Sequence, residues 1–212
     1  MRSFRIHVFV AAAIVGGAGP LTAQSMEPGL LLSFNTTTFS GEANTDFDYR
    51  TSFGGGVSLA FTFPNGLAIQ PELRYVVKGA TSDSAIVNNS EVPLRVKSTI
   101  SYLEIPVLLV YTFDLRGPVK PRIFAGPYFA SKLEASIEWE PRGGGLRQRN
   151  ADGSVESIDL GFVAGGAVEF NIAGERTVLG VRGMFGRSDV RDRPDAPLRN
   201  TGAEIFAALV FQ

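Results

Sequence analysis

The chain has 212 residues, 20 Lys and Arg against 21 Asp and Glu, a formal net charge of −1, no cysteine and one histidine, His7. That balance argues against a nucleic-acid partner or a basic membrane-surface role. The missing cysteines rule out a disulfide framework and a lipidated cysteine at an export cleavage site.

Taken in chain order, the sequence opens as an export signal. Arg2 and Arg5 form a positive n-region, Ile6 to Ala18 are apolar, and Pro20-Leu21-Thr22-Ala23 is a small-residue exit, which predicts cleavage after Ala23. The apolar stretch, roughly 13 residues, is well short of the roughly 20 that a spanning helix needs. Residues 1–23 are therefore read as a signal peptide and residues 24–212 as one mature domain. Cleavage removes Arg2, Arg5 and His7, and the formal charge moves to about −3. A mature chain without histidine or cysteine lacks the base or nucleophile of Ser-His and Cys-His catalysis. It also lacks the usual ligands of zinc, haem and iron–sulfur centres, so no cofactor and no enzymatic activity are expected.

Beyond residue 24 the apolar residues recur every second position, the period of strands. The reading gives eight strands: Gly29 to Ser40, Phe53 to Phe63, Leu67 to Gly79, Ser98 to Phe113, Lys120 to Trp139, Ile158 to Phe170, Thr177 to Arg187 and Gly202 to Phe211. In the second strand Phe53, Gly55, Val57, Leu59, Phe61 and Phe63 alternate with Gly54, Gly56, Ser58, Ala60 and Thr62. In the third, Leu67, Ile69, Leu73, Tyr75 and Val77 alternate with Gln70, Glu72, Arg74 and Lys78. Large apolar side chains outside and small or charged ones inside are the pattern of a barrel embedded in lipid.

Short connections, at Pro64-Asn65-Gly66, Asp114 to Val119 and Asn171 to Arg176, alternate with longer polar ones at Gly41 to Ser52, Ala80 to Lys97, Glu140 to Ser157 and Ser188 to Thr201. Short periplasmic turns and long outer loops are expected of an outer-membrane barrel. Every even strand ends on an aromatic next to a short turn or the chain end: Phe63, Tyr111 and Phe113, Phe170, and Phe211. These predict an aromatic girdle at the periplasmic membrane boundary, the competing reading being strand ends of a soluble β-sandwich. Trp139 is assigned to an outer aromatic belt.

The inward faces carry Glu72, Arg74, Lys78, Glu104, Arg122, Lys132, Glu134, Asp159, Glu169, Arg182 and Glu204. An eight-strand barrel has room inside only for side chains, and an unpaired buried charge is costly, so a structural network of ion pairs is expected. The alternative is that these charges line a pore or bind a ligand.

Motifs that carry chemistry elsewhere are weak here. Gly54-Gly55-Gly56 and Gly143-Gly144-Gly145 lead into neither a Gly-Lys-Ser/Thr run nor a helix. Asn150-Ala151-Asp152-Gly153 and the trio Asp189, Asp192 and Asp195 hint at calcium, yet neither has the full ligand spacing, and no metal site is assigned. Asn35-Thr36-Thr37 and Asn88-Asn89-Ser90 match the glycosylation acceptor pattern by chance in a bacterial protein.

The run Tyr102-Leu103-Glu104-Ile105-Pro106-Val107-Leu108-Leu109-Val110-Tyr111 resembles the PorT-like family of outer-membrane β-barrel proteins. Lys120 to Tyr128, and Ile158 to Gly161 with Gly165 to Phe170, are similar to that family's next strands. The resemblance covers nearly the whole mature chain and implies an all-β, eight-stranded antiparallel up-and-down barrel in the outer membrane. It brings no catalytic residue. Gly183-Met184-Phe185-Gly186 and the ending Phe211-Gln212 depart from the family pattern, the second because the assembly machinery often reads a terminal aromatic.

The function expected is a non-enzymatic barrel with a structural or interaction role in the cell envelope, the alternative being a small passive channel. Its expected partners are outer-membrane lipid, the barrel-assembly machinery and an envelope component the sequence does not name.

Overall fold

A computed structural model describes residues 25–41, 47–87, 90–140, 147–190 and 197–211. The strands are β1 (Ser25–Gly41), β2 (Asp48–Thr62), β3 (Leu67–Val87), β4 (Ser90–Thr112), β5 (Lys120–Glu140), β6 (Arg147–Asn150), β7 (Ile158–Ile172), β8 (Glu175–Gly186) and β9 (Leu198–Val210), with a 3₁₀ turn at Asp152–Ser154. The wall runs β4-β3-β2-β1-β9-β8-β7-β5 and closes where β4 pairs with β5, each pair antiparallel. This is the expected eight-stranded up-and-down barrel, and closure leaves no free edge along the wall. The short β6 lies outside that circuit, hydrogen-bonded to the far end of β5.

Short turns gather at one end. Between β7 and β8, Ala173 and Gly174 both take positive φ, 53° and 92°, the geometry of a tight type I′ hairpin. Between β2 and β3, Phe63 N donates to Leu67 O at 2.8 Å, and Gly66 supplies the positive φ of 79°. The segment read as a signal, residues 1–23, lies outside the described residues, as do Asn88-Asn89, Gly143-Gly144-Gly145, Asp192 and Asp195.

The structure redraws three boundaries. Ala80 to Lys97, expected as a loop, is a continued hairpin in which β3 runs on to Val87 and β4 starts at Ser90, with an irregularity between Ser82 and Ser84. The region carries β-formers such as Ile86, Val87, Val92 and Val96. Glu140 to Ser157 contains β6 and the 3₁₀ turn, and β9 begins at Leu198 rather than Gly202.

A bulge in β5 changes which side chains face inward. Tyr102 pairs with Lys132 but Ser101 pairs with Glu134, so Leu133 is an extra residue and the alternation inverts beyond it. Glu134, expected inside, is exposed, whereas Ala135 is buried and Ile137 packs against the core. Trp139 shares the parity of Ala135 and Ile137, which corrects its assignment to an outer belt.

Outside, Leu32, Phe34, Phe53, Ile123, Phe162 and Ile205 are exposed, an apolar wall that only hydrocarbon can cover. The inside is layered. Towards the turns lie Leu31, Leu108, Val110, Phe124 and Phe206, then a belt of charge, then an apolar layer around Ile100, Ala135 and Leu198 at the loop end.

Candidate functional site

The belt is built by strand alternation. On β3 the inward positions are Glu72, Arg74, Val76 and Lys78; β4 adds Glu104, β7 Asp159, β8 Arg182 and β9 Glu204. Arg74 is the hub, its guanidinium meeting Glu104 at 3.2 Å, Glu204 in a very close pair, and Glu72 at 3.8 Å. Arg182 bridges Glu72 and Glu204, at 2.8 Å each. Lys78 continues the chain to Glu104 at 2.6 Å and Asp159 at 3.1 Å. Aromatic faces flank both ends: Arg182 lies 4.6 Å from the Phe206 ring centre, and Lys78 Nζ 4.1 Å from that of Tyr128.

These seven residues carry three cations and four carboxylates. Asp159 takes up the surplus negative charge, accepting hydrogen bonds from Tyr128 Oη, Asn200 Nδ2 at 2.9 Å and Ser188 Oγ at 3.1 Å besides its contact with Lys78. Donors from several strands spread that charge without a further cation.

Arg122 and Glu169 form a second cluster nearer the turns. They pair at 3.4 Å, and Arg176 joins through Glu169 at 3.5 Å and Glu27 at 2.6 Å. Gln70 connects the two clusters, accepting from Arg122 and donating to Glu72 at 2.8 Å. Glu27 and Arg176 were missing from the sequence-derived set, whereas Gln70 stood on the inward face of the third strand. Glu27 and Arg176 fall just outside the drawn strands, and extending the alternation by two residues puts both on the inward face.

Lys132 departs from the expected network. It faces inward at the loop end, but its ammonium donates to the carbonyls of Asp152 and Val155, at 2.5 Å each. The lysine thus takes a cation's place in the segment that hinted at calcium. The Asp152 carboxylate accepts from Ala135 N at 2.6 Å and Asn150 Nδ2 at 2.8 Å, bonds that hold its carboxyl below the usual aspartate range, the Asn150 bond most of all.

The girdle aromatics stand on the outward parity at the turn end. Tyr111 and Phe113 meet edge to face at 4.8 Å, and Phe211, just past β9, is exposed. Phe170 and Phe63 are half-exposed at the ends of β7 and β2.

Inside the lower apolar layer a cavity of about 30 Å³, lined in part by Gln70, Glu72 and Arg122, has room for about one water. With the belt above it, the middle of the lumen is filled by side chains. Among the described residues no group of three or more carboxylates is arranged to hold a metal ion.

Comparison with known proteins agrees with this architecture. Among solved structures, OprG of Pseudomonas aeruginosa is similar over 88% of this chain and 96% of its own, at 10% identity and a TM-score of 0.52. Neisserial surface protein A is 14% identical over 88% of this chain and 97% of its own, with a TM-score of 0.46. Ail, the attachment invasion locus protein of Yersinia pestis, is 10% identical over 87% and 98%, with a TM-score of 0.44. No curated protein matches the chain. The model of the outer membrane protein beta-barrel domain matches residues 22–190, most of the strands just described, and the chain belongs to that family, in the bacterial outer membrane.

Proposed function

We propose that the chain is a non-enzymatic, sealed barrel of the PorT-like kind that acts through its outer end, with a structural or interaction role in the envelope. One observation carries the reading: the ion-pair belt from Asp159 through Lys78, Glu104, Arg74 and Glu204 to Arg182 and Glu72 crosses the lumen with each charged group already engaged. A hydrated ion would have to displace several mutually paired charges at once. The Tyr102 to Tyr111 run supports the narrower family reading. The long β3–β4 hairpin offers an envelope partner its surface, while outer-membrane lipid covers the apolar wall and the assembly machinery receives the last strand.

Recording in planar bilayers tests this reading. The wild-type protein should give no current steps above the bare bilayer. A stable, reproducible unitary conductance would overturn it in favour of a small passive channel.

A further inference from the structure

Above the charged belt, at the loop end of the barrel, lies a second cavity, of about 240 Å³. Its walls are mainly apolar: Phe39 and Phe47, Ile100 on β4, Ile137 on β5, and Val155 and Val190 on the loops. The hydroxyl-bearing lining residues are Ser98, Thr99, Ser136 and Ser154, and no lining residue is charged. Two charges close in sequence to the lining are engaged, Lys132 on the carbonyls of Asp152 and Val155, and Asp152 on Asn150 and the Ala135 amide.

The walls are also held apart. Ala151 N donates to Ala135 O at 2.9 Å, Glu156 N to Val190 O at 2.9 Å, and Val190 N to Leu198 O at 2.7 Å. Leu198 N donates in turn to the Asp189 carboxylate at 2.9 Å. These bonds fix the backbone of the loop segments against the strand ends, so the space cannot close by a simple shift of those segments. An apolar cavity of about 150 Å³ already takes up benzene, and one below about 300 Å³ is smaller than the pockets of drug-sized ligands.

The geometry points to this cavity as a binding site for a small, uncharged, largely apolar molecule of one or two rings, with a single polar group for a serine hydroxyl. The site lies outside the sealed belt and does not depend on whether the barrel conducts.

Indole is the probe. The full mature barrel, in lipid nanodiscs with labelled Ile and Val methyl groups, is titrated by NMR. Saturable shifts are expected at Ile100, Ile137, Val155 and Val190, with none at Val181 and Ile205, which face lipid. Ala151→Phe, and independently Val190→Phe, place a ring in the cavity and should weaken binding at least tenfold while the remaining methyl spectrum stays native. Shifts that do not saturate, shifts of equal size at Ile205 from indole dissolved in the bilayer, or unchanged affinity in either folded variant would overturn the assignment.

Discussion

Arg182→Met removes one cation from the belt while keeping a flexible side chain of similar length against the Phe206 and Phe124 rings. The arginine side chain is fully buried and contacts Glu204 and Glu72 at 2.8 Å each. At that distance and an effective dielectric of about 20, each contact is worth about 6 kcal/mol of Coulomb energy. Most of this offsets the desolvation of the groups. What the variant exposes is the cost of the carboxylates left behind. Glu204 keeps Arg74, but Glu72 keeps only Arg74 Nε at 3.8 Å and the Gln70 amide. Breaking one partner out of a buried pair costs about 3–5 kcal/mol, and that loss is expected here. Urea unfolding in lipid vesicles, followed by Trp139 fluorescence and heat-modifiable gel migration, measures it. The pair Arg182→Met with Glu72→Gln restores the charge balance of the belt, so Glu72→Gln should cost much less in that background than alone. A loss under about 1 kcal/mol for Arg182→Met, the level of an exposed pair, or simple additivity in the double variant, would refute the coupled belt.

Two further outcomes follow. Gly126 sits so close to the Val107 backbone that an added Cβ would overlap its carbonyl, whereas at Gly166 the nearest atom is Arg122 O at 3.6 Å; Gly126→Ala should cost about 3 kcal/mol or prevent folding, and Gly166→Ala should lie within about 0.5 kcal/mol of wild type in the same assay. Because its hydrogen bonds hold the Asp152 carboxyl below the usual aspartate range, the stabilisation it gives the loop is present above the ordinary aspartate pKa and is lost as pH falls through the lowered one; hydrogen exchange at the Ala135 amide should keep its protection from pH 7 to about 5, lose it in stronger acid, and show no such acid step in Asp152→Asn.

The wall of the barrel was legible because lipid and lumen impose opposite demands on neighbouring residues. Ile69, Leu73 and Tyr75 against Gln70, Glu72 and Arg74 can be sorted from the sequence alone. Towards the loop end that contrast fades in the sequence, and the stretch from Ala80 to Lys97 looked like a loop although it pairs as a hairpin. The bulge at Leu133 was hidden for a related reason. Lys132-Leu133-Glu134-Ala135 alternates equally well in either phase, and only the pairing of Ser101 with Glu134 and Tyr102 with Lys132 reveals the extra residue. Which carboxylate each guanidinium meets was equally out of reach. Glu204 on β9 joins Arg74 on β3, a contact set by barrel closure and shear rather than by any local pattern.

The proposed sealing of the lumen rests on the order of layers inside the barrel. Leu31, Leu108, Phe124 and Phe206 lie on one side of the belt and Ile100, Ala135 and Leu198 on the other, all buried, so a charge that leaves its partner meets mainly apolar surroundings. In such surroundings paired charges reinforce one another, and opening a path would require several pairs to break together. Phe206 against Arg182 and Tyr128 against Lys78 further restrict the two cations nearest the apolar layers. On the sealed reading proposed above, a lumen held this way contributes stability rather than transport. Variation in the proposed binding site falls in the outer layer, where Ala151, Val155 and Val190 come from loops and can be exchanged without unpairing a buried charge.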